Sequence, residues 1–409
     1  MKAKALTKDP VPGRRRAIAA LGGGALGAFG ASVGAPLLGL VDAARAEAAE
    51  PAGSLAPLET VATFGDDFRL VGIGVSRTGR VFATAPSSIK RSRYSVVEVN
   101  TRTGDLHPFP NGDWNRYDAN ASGDQQWISA QAMWCDERDH LWILDSSLGS
   151  VDQRKQPPKV VQFDIDTGRM LRTYTFEGTV TPKDSINDIR VDLKHGYAYI
   201  SNAGNQGGVV VMRLSDGKSR LVLAGDRSSV SDPNQHLMFG DRIARKPDGG
   251  IVVLQTDGIA VSPQRDWLYY RPLTDHHYWR VPTDALIDAS LSPGALALRV
   301  QYLGDYALTG GLLMSPDGVL YGGDLEHRTV VALTPVVRDG KPALEQRVIV
   351  DDPRKRLSWA DGFALQNDYL YISDSHLPET NFSNGYPREG KFTIFRVKLP
   401  NQPAGLFAG

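Results

Sequence analysis

A single cysteine, Cys135, in 409 residues excludes an internal disulfide and leaves no Cys-x-x-Cys redox pair or cysteine-built zinc site. No His-Glu-x-x-His zincin helix and no P-loop occurs, so the usual zinc-hydrolase and nucleotide-binding signatures are missing as well. A basic surplus is also absent. Lys plus Arg and Asp plus Glu both number 46, and without residues 1–46 the balance is 39 to 44, a net −5 over 363 residues. Such a chain lacks the positive surface that nucleic acid or an anionic bilayer requires.

What the chain does have is one phrase written six times after residue 70: a small turn, a β-prone run, a charged turn, then a Tyr/Trp-rich run ending in a polar residue. The copies begin at Val71, Gln131, Asn187, Asp257, Gly310 and Asp361, and their second runs end at Thr84, Asp145, Asn202, Tyr270, Asp324 and Asp374. Spacings of 60, 56, 70, 53 and 51 residues are too long for a helical solenoid and fit four-stranded propeller blades with variable loops. Between the copies lie β-branched runs closed by Thr103-Gly104, Thr167-Gly168, Asp216-Gly217 and Asp339-Gly340. These are hairpin turns, because glycine accepts the positive φ that a tight turn demands. The expected fold is all-β, a six-bladed β-propeller.

The ends of the chain indicate how the ring closes. Glu59 to Phe64 reads as an outer strand with no blade before it, and Phe392 to Leu399 as a third strand with no fourth after it. Pairing them completes the final blade and leaves no open sheet edge. Residues 58–400 are therefore assigned to the propeller, 47–57 to a linker and 401–409 to a tail. Residues 1–46 read as a twin-arginine signal peptide: Arg14-Arg15-Arg16, an uncharged stretch from Ala17 to Val41, then Ala44-Arg45-Ala46 at the cleavage spacing. The same stretch is long enough to serve as an uncleaved anchor. Cleavage implies a periplasmic or secreted bacterial protein whose partners are the twin-arginine export machinery and a small molecule, with no membrane contact after export. Gly30-Ala31-Ser32-Val33-Gly34 and Gly22-Gly23-Gly24-Ala25-Leu26-Gly27 match a nucleophile elbow and a dinucleotide fingerprint. Neither follows a strand, and neither carries functional weight.

In a propeller the innermost strands run beside the central channel, so six equivalent strand starts gather at one mouth. Four of these are Gln131, Asn187, Asp257 and Asp361. Polar groups converging on a concave pocket make a site signal. The plainer alternative is that Asp257-Gly258 and Asp361-Gly362 are turns in which Asp caps a local N–H. As a site, the four could hold a divalent cation such as calcium, which prefers oxygen ligands. They could instead bind an organic amine or polyol against Trp127, Trp359 and Phe382. His327 and His376 follow inner strands of the last two blades and, with Asp361, are candidate catalytic groups; the alternative for each histidine is an ordinary loop residue. His236 lies in a long insertion, residues 226–242, that could form a lid. His276-His277 has no zinc-site spacing, and Cys135 beside Trp134 reads as a structural thiol.

Several segments together carry a family resemblance: Trp142-Ile143-Leu144-Asp145-Ser146, Asp257 to Ser262 with Leu268 to Leu273, Gly323-Asp324-Leu325-Glu326-His327, Trp359 to Ala364, and Phe395 to Leu399. Over residues 58–399, in order, the chain resembles the yellow/major royal jelly protein family. The resemblance implies a six-bladed propeller and either amine binding in the central cavity or dopachrome-type tautomerase chemistry. A more distant likeness is to the gluconolactonase/senescence-marker propellers, which hold a divalent cation at the channel mouth. Their glutamate at the start of the first blade is Val71 here, and Gly310 is empty where a further ligand would be useful. Three readings follow: a small-molecule (amine, aromatic or quinone) binder or tautomerase, a metal-dependent lactonase, and a non-catalytic scaffold using the rim.

Overall fold

Each repeat becomes a four-stranded antiparallel sheet in the computed structural model, which describes residues 55–87, 90–146, 157–176, 178–181, 183–385 and 391–400. Residues 1–46, read above as a signal peptide, most of the stretch read as a linker, and residues 401–409 lie outside the described residues. Blade 1 comprises Ile73–Val75, Val81–Thr84, Val96–Val99 and Leu106–Pro108. Blade 2 comprises Ala130–Cys135, His140–Asp145, Lys159–Asp164 and Met170–Thr175. Blade 3 runs Ile186–Asp192, Tyr197–Asn202, Val209–Arg213 and Ser219–Val222. Blade 4 runs Thr256–Val261, Trp267–Pro272, His277–Pro282 and Gln301–Asp305. Blade 5 is Thr309–Met314, Leu320–Asp324, Thr329–Arg338 and Lys341–Val350.

Blade 6 takes Ala360–Gln366, Tyr369–Asp374 and Phe392–Lys398 from the end of the chain and its outermost strand, Glu59–Phe64, from the beginning. The expected closure is thus present, with Glu59 opposite Arg396 and Phe64 opposite Phe392. The first strands of the six blades pack in a ring, and the core lies in clusters between successive sheets. Many inner and second strands are buried along almost their whole length, with runs of Val, Ile, Leu and aromatic side chains, the pattern of strands packed on both faces.

In blades 2, 3 and 6 the polar residue that ends the second strand has a structural task. Asp145 accepts the backbone N–H groups of Ile128 and Ser129 at 2.8 and 2.7 Å, Asn202 that of Ser185 at 2.8 Å, and Asp374 that of Trp359 at 2.6 Å. These side chains pin the entry to the innermost strand, where turning backbone would otherwise be buried without partners. Buried Lys159, 2.6 Å from Asp145, neutralises that carboxylate in blade 2. Among the described residues no helix is long and apolar enough to cross a membrane.

Candidate functional site

The repeat starts are β-bulges. In blades 2 to 6 the pairing between first and second strands slips at Gln131, at Asn187-Asp188, at Asp257-Gly258, at Gly310-Gly311 and at Asp361-Gly362. A bulge inserts one extra residue and re-aims its side chain, which is why polar groups recur at that place in the phrase. Glycine follows where the next blade presses in: a Cβ on Gly258 would lie 2.2 Å from the Gly310 carbonyl oxygen, and one on Gly311 2.1 Å from that of Asp361. Hydroxyls on the second strands stitch the ring. Thr84 Oγ1 accepts from Gly72 N at 2.9 Å and donates to the Gln131 carbonyl at 2.7 Å. Ser373 Oγ accepts from Gly362 N at 2.8 Å and donates to the Val71 carbonyl.

The bulges bring Gln131, Asn187, Asp257 and Asp361 together. Gln131 Nε2 donates to Asn187 Oδ1 at 2.8 Å, and the Asn187 side chain bonds Asp257. Asp257 Oδ1 is buried and has no hydrogen-bond partner. Burial, reinforced by the nearby Asp188 carboxylate and only partly offset by Arg271, pushes the Asp257 carboxyl up to about 7. Burial and the charges of Asp257 and Asp188 raise Asp361 well above the usual carboxylate range, against the pull of Ser375 and Trp359. The cavity bounded by Gln131, Asn187, Asp188, Arg190 and Asp361 measures only about 40 Å³. That is room for a few waters or an ion; organic ligands occupy several hundred cubic ångströms.

Asp188 and Arg190 were not among the residues singled out from sequence, yet they shape the channel. Arg190 Nη1 lies 2.7 Å from Asp188 Oδ1, Nη2 donates across the channel to the Leu312 carbonyl of blade 5, and the guanidinium sits 4.9 Å from the Trp134 ring centroid of blade 2. Its Nε has no partner. Arg190, together with Ile73, Met133 and Phe363, lines both the polar chamber and a second one of about 390 Å³ towards the other end of the innermost strands, so it stands where the two meet. The wide chamber is walled by Met133, Trp134, Leu313, Met314 and Phe363, with Cys135 beside them and Arg77, Glu137 and Arg265 towards its rim. Burial holds the Cys135 thiol protonated by raising its pKa. The signal for the missed pair is visible on aligning the phrases. The second position reads Gly72, Ala132, Asp188, Gly258, Gly311, Gly362 and the fourth Gly74, Trp134, Arg190, Ala260, Leu313, Ala364.

Above the polar chamber the insertion between blades 3 and 4 folds over as a cap. Its Leu237, Phe239, Ala244 and Val252 pack with Leu308, Leu325 and Trp359 of blades 5 and 6. Glu326 accepts Met238 N at 2.8 Å and bonds His276 at 3.1 Å, while Asn384 accepts Arg245 N at 2.8 Å. His236 is half-buried within this cap. Trp359 and Phe382 meet edge to face at 5.6 Å on its underside, beside Asp361. Trp127 is elsewhere: it is buried between blades 1 and 2 against Trp114 at 4.7 Å, its indole N–H on the Phe109 carbonyl. His327 is an exposed rim residue held by Asp324 at 2.8 Å. His376 is buried between Asp374 and Glu379 at 3.3 and 3.4 Å, where it plays towards Asp374 the part that Lys159 plays towards Asp145. Neither histidine borders the two channel chambers.

The family profile described as Major royal jelly protein matches residues 128–404. The chain belongs to the major royal jelly protein family. Major royal jelly protein 5 of Apis mellifera is 26% identical over 275 residues, covering 62% of this chain and 42% of that protein. Major royal jelly protein 7 of the same organism is 25% identical over 253 residues, covering 58% and 54%. The matched region thus spans about half the length of these curated relatives. Among solved structures, a luciferin-regenerating enzyme superposes with a TM-score of 0.51 at 8% identity, covering 84% of this chain and 95% of that one, a likeness of fold alone. As a major royal jelly family propeller, the chain keeps its inner-strand bulges for polar groups and leaves its large cavity on the far side of Arg190.

Proposed function

We propose that this chain is an exported, periplasmic or secreted, small-molecule-binding propeller that takes a flat aromatic or quinone-like ligand into the wide chamber of its channel. The observation that carries this reading is the division of volume. About 390 Å³ walled by Trp134, Phe363, Met133 and Met314 suits a ring of one or two cycles, whereas the 40 Å³ around the carboxyls does not. Arg190 lines that chamber beside Trp134, and a cation next to an aromatic face suits a flat ring that carries a carbonyl oxygen. The chamber's cations, Arg77, Arg190 and Arg265, outnumber its carboxylates, Asp136 and Glu137, which argues for quinone over amine. Dopachrome-type tautomerisation is supported by Asp257. A carboxyl held at about 7 exchanges protons efficiently near neutral pH, and Asp257 feels the charge of Asp188, the partner of Arg190.

The second reading, a metal-dependent lactonase, is favoured by one observation, the partnerless Asp257 Oδ1. The donor set fits it poorly. Asp188 is committed to Arg190, and Gln131 and Asn187 bond each other. Among the described residues no group of three or more His, Cys, Asp or Glu is arranged around one point for a metal. Calcium takes six to eight oxygens, and these side chains approach that number only with both carboxylates bidentate and the Gln131–Asn187 pair broken. The test is titration of a stable naphthoquinone and, in parallel, tryptamine into the purified protein, with Met314→Trp filling the wide chamber and Asp361→Asn altering the polar one. Quinone binding that Met314→Trp abolishes and Asp361→Asn spares supports the proposal. Tryptamine binding that only Asp361→Asn abolishes overturns it.

A further inference from the structure

Away from the channel, the third and fourth strands of blade 4 and the start of the insertion border a separate, open pocket of about 440 Å³, lined by Arg227, Ser231, Asp232, His277, Trp279 and Tyr302. Its aromatic side is a corner of three rings. Trp279 and Tyr302, cross-strand partners, have centroids 4.9 Å apart and planes at 48°. His277 stands 5.7 Å from Tyr302 and 6.1 Å from Trp279, at 83° and 78°. Three rings that line one pocket give a cation there more than one aromatic surface to meet.

One cation already lies there. The Arg227 guanidinium is 5.5 Å from the Trp279 centroid, and no hydrogen bond or ion pair to a described residue holds it. An arginine normally finds carboxylate or carbonyl acceptors for its five donors, so a guanidinium kept only by a ring face is held loosely. The surroundings are acidic. Asp232 lines the pocket, and Asp305, half-exposed, accepts the Tyr302 hydroxyl and lies 3.5 Å from His277 Nε2. An anionic ligand would be repelled by these carboxylates, and a neutral one would forgo the attraction to both rings and carboxylates.

We propose that this pocket is an aromatic cage for an alkylated ammonium group, with Arg227 as the internal occupant that such a ligand displaces. A quaternary ammonium is weakly hydrated and loses little on leaving water. It needs no hydrogen-bond acceptors, and it reaches all three rings where the tethered guanidinium covers one. Because the pocket shares no lining residue with the channel, its ligand and the channel's bind independently.

The experiment is calorimetric titration of the full chain with choline and with its neutral isostere 3,3-dimethylbutan-1-ol, on the wild type and on Arg227→Ala, Tyr302→Ala and Tyr302→Phe. The expected result is choline binding at least about tenfold tighter than the alcohol. Arg227→Ala should tighten it several-fold, Tyr302→Phe should retain it and Tyr302→Ala should lose it. Tyr302 is 44% exposed, so its variants should fold, as far-UV circular dichroism will check. Equal affinity for choline and the alcohol, no choline binding by wild type and Arg227→Ala alike, or weaker binding by Arg227→Ala overturns the cage. Naphthoquinone binding unchanged in all three variants separates this result from the fate of the channel proposal.

Discussion

The two ends of one channel are built from the same six strands, yet they have opposite characters. At the starts of the strands, bulges turn Gln131, Asn187, Asp257 and Asp361 inwards and leave about 40 Å³ under a hydrophobic cap. At their ends, regular strands direct Met133, Cys135, Met314 and Phe363 inwards and leave about 390 Å³. The difference teaches that polarity and capacity are assigned separately in this fold. The bulge supplies the polar groups, and the tight approach of neighbouring glycine bulges removes the space. Arg190 marks the boundary, tying three blades with one side chain.

Removing the boundary should have the largest effect. Arg190→Ala strands the buried Asp188 carboxylate and should cost about 3–5 kcal/mol in urea denaturation. The double variant Asp188→Gly/Arg190→Ala, which restores the small residues that most other repeats carry, should recover most of that. A single variant as stable as the double one would show that Asp188 does not depend on Arg190 for its burial. Next comes the glycine approach. Gly258→Ala sets a Cβ against the Gly310 carbonyl and should cost about 2–4 kcal/mol, whereas Gly112→Ala, with nothing within 4 Å, should stay within about 0.5 kcal/mol.

The polar chamber can be sharpened by pH. The folded Asp257 carboxyl titrates near 7 and the unfolded one near 3.8, so between these values the folded state holds the extra proton. Wild-type stability therefore falls as pH rises through that window, and the penalty is complete above about 7. Asp257→Asn cannot ionise, so its stability relative to wild type should climb by on the order of 1–3 kcal/mol between pH 4 and 8, measured by thermal melts across pH. A flat difference would mean that Asp257 is charged in the folded protein. The smallest effect belongs to the wide chamber. Cys135, with its thiol pushed up by burial, should react slowly with Ellman's reagent at pH 8, and more slowly still with a ligand bound.

The ring was legible because strand-turn-strand phrases and Asp-Gly or Thr-Gly turns are local signals, and six of them admit few closed arrangements. The joining of Glu59–Phe64 to Phe392–Lys398 followed from counting strands per blade. The polar residues at the repeat starts were legible as a group. Their bulges were not, since a register slip depends on the partner strand. Trp127 shows the limit of reading position along the chain as position in space: it precedes an inner strand but packs into the wall against Trp114. Arg190 was hidden for the converse reason. It sits mid-strand, where core is expected, and only comparison of equivalent positions across repeats exposes it.

Glu59 and Arg396, which meet at 2.8 Å in the closing blade, are 337 residues apart in the chain. By loop-closure statistics a junction of that span costs about 5 kcal/mol in chain entropy before any contact across it contributes. Nearly the whole propeller must therefore be synthesised before its first strand can find its place. Until the last strand emerges, blade 6 has an open edge, and that segment is the one a neighbouring chain could borrow.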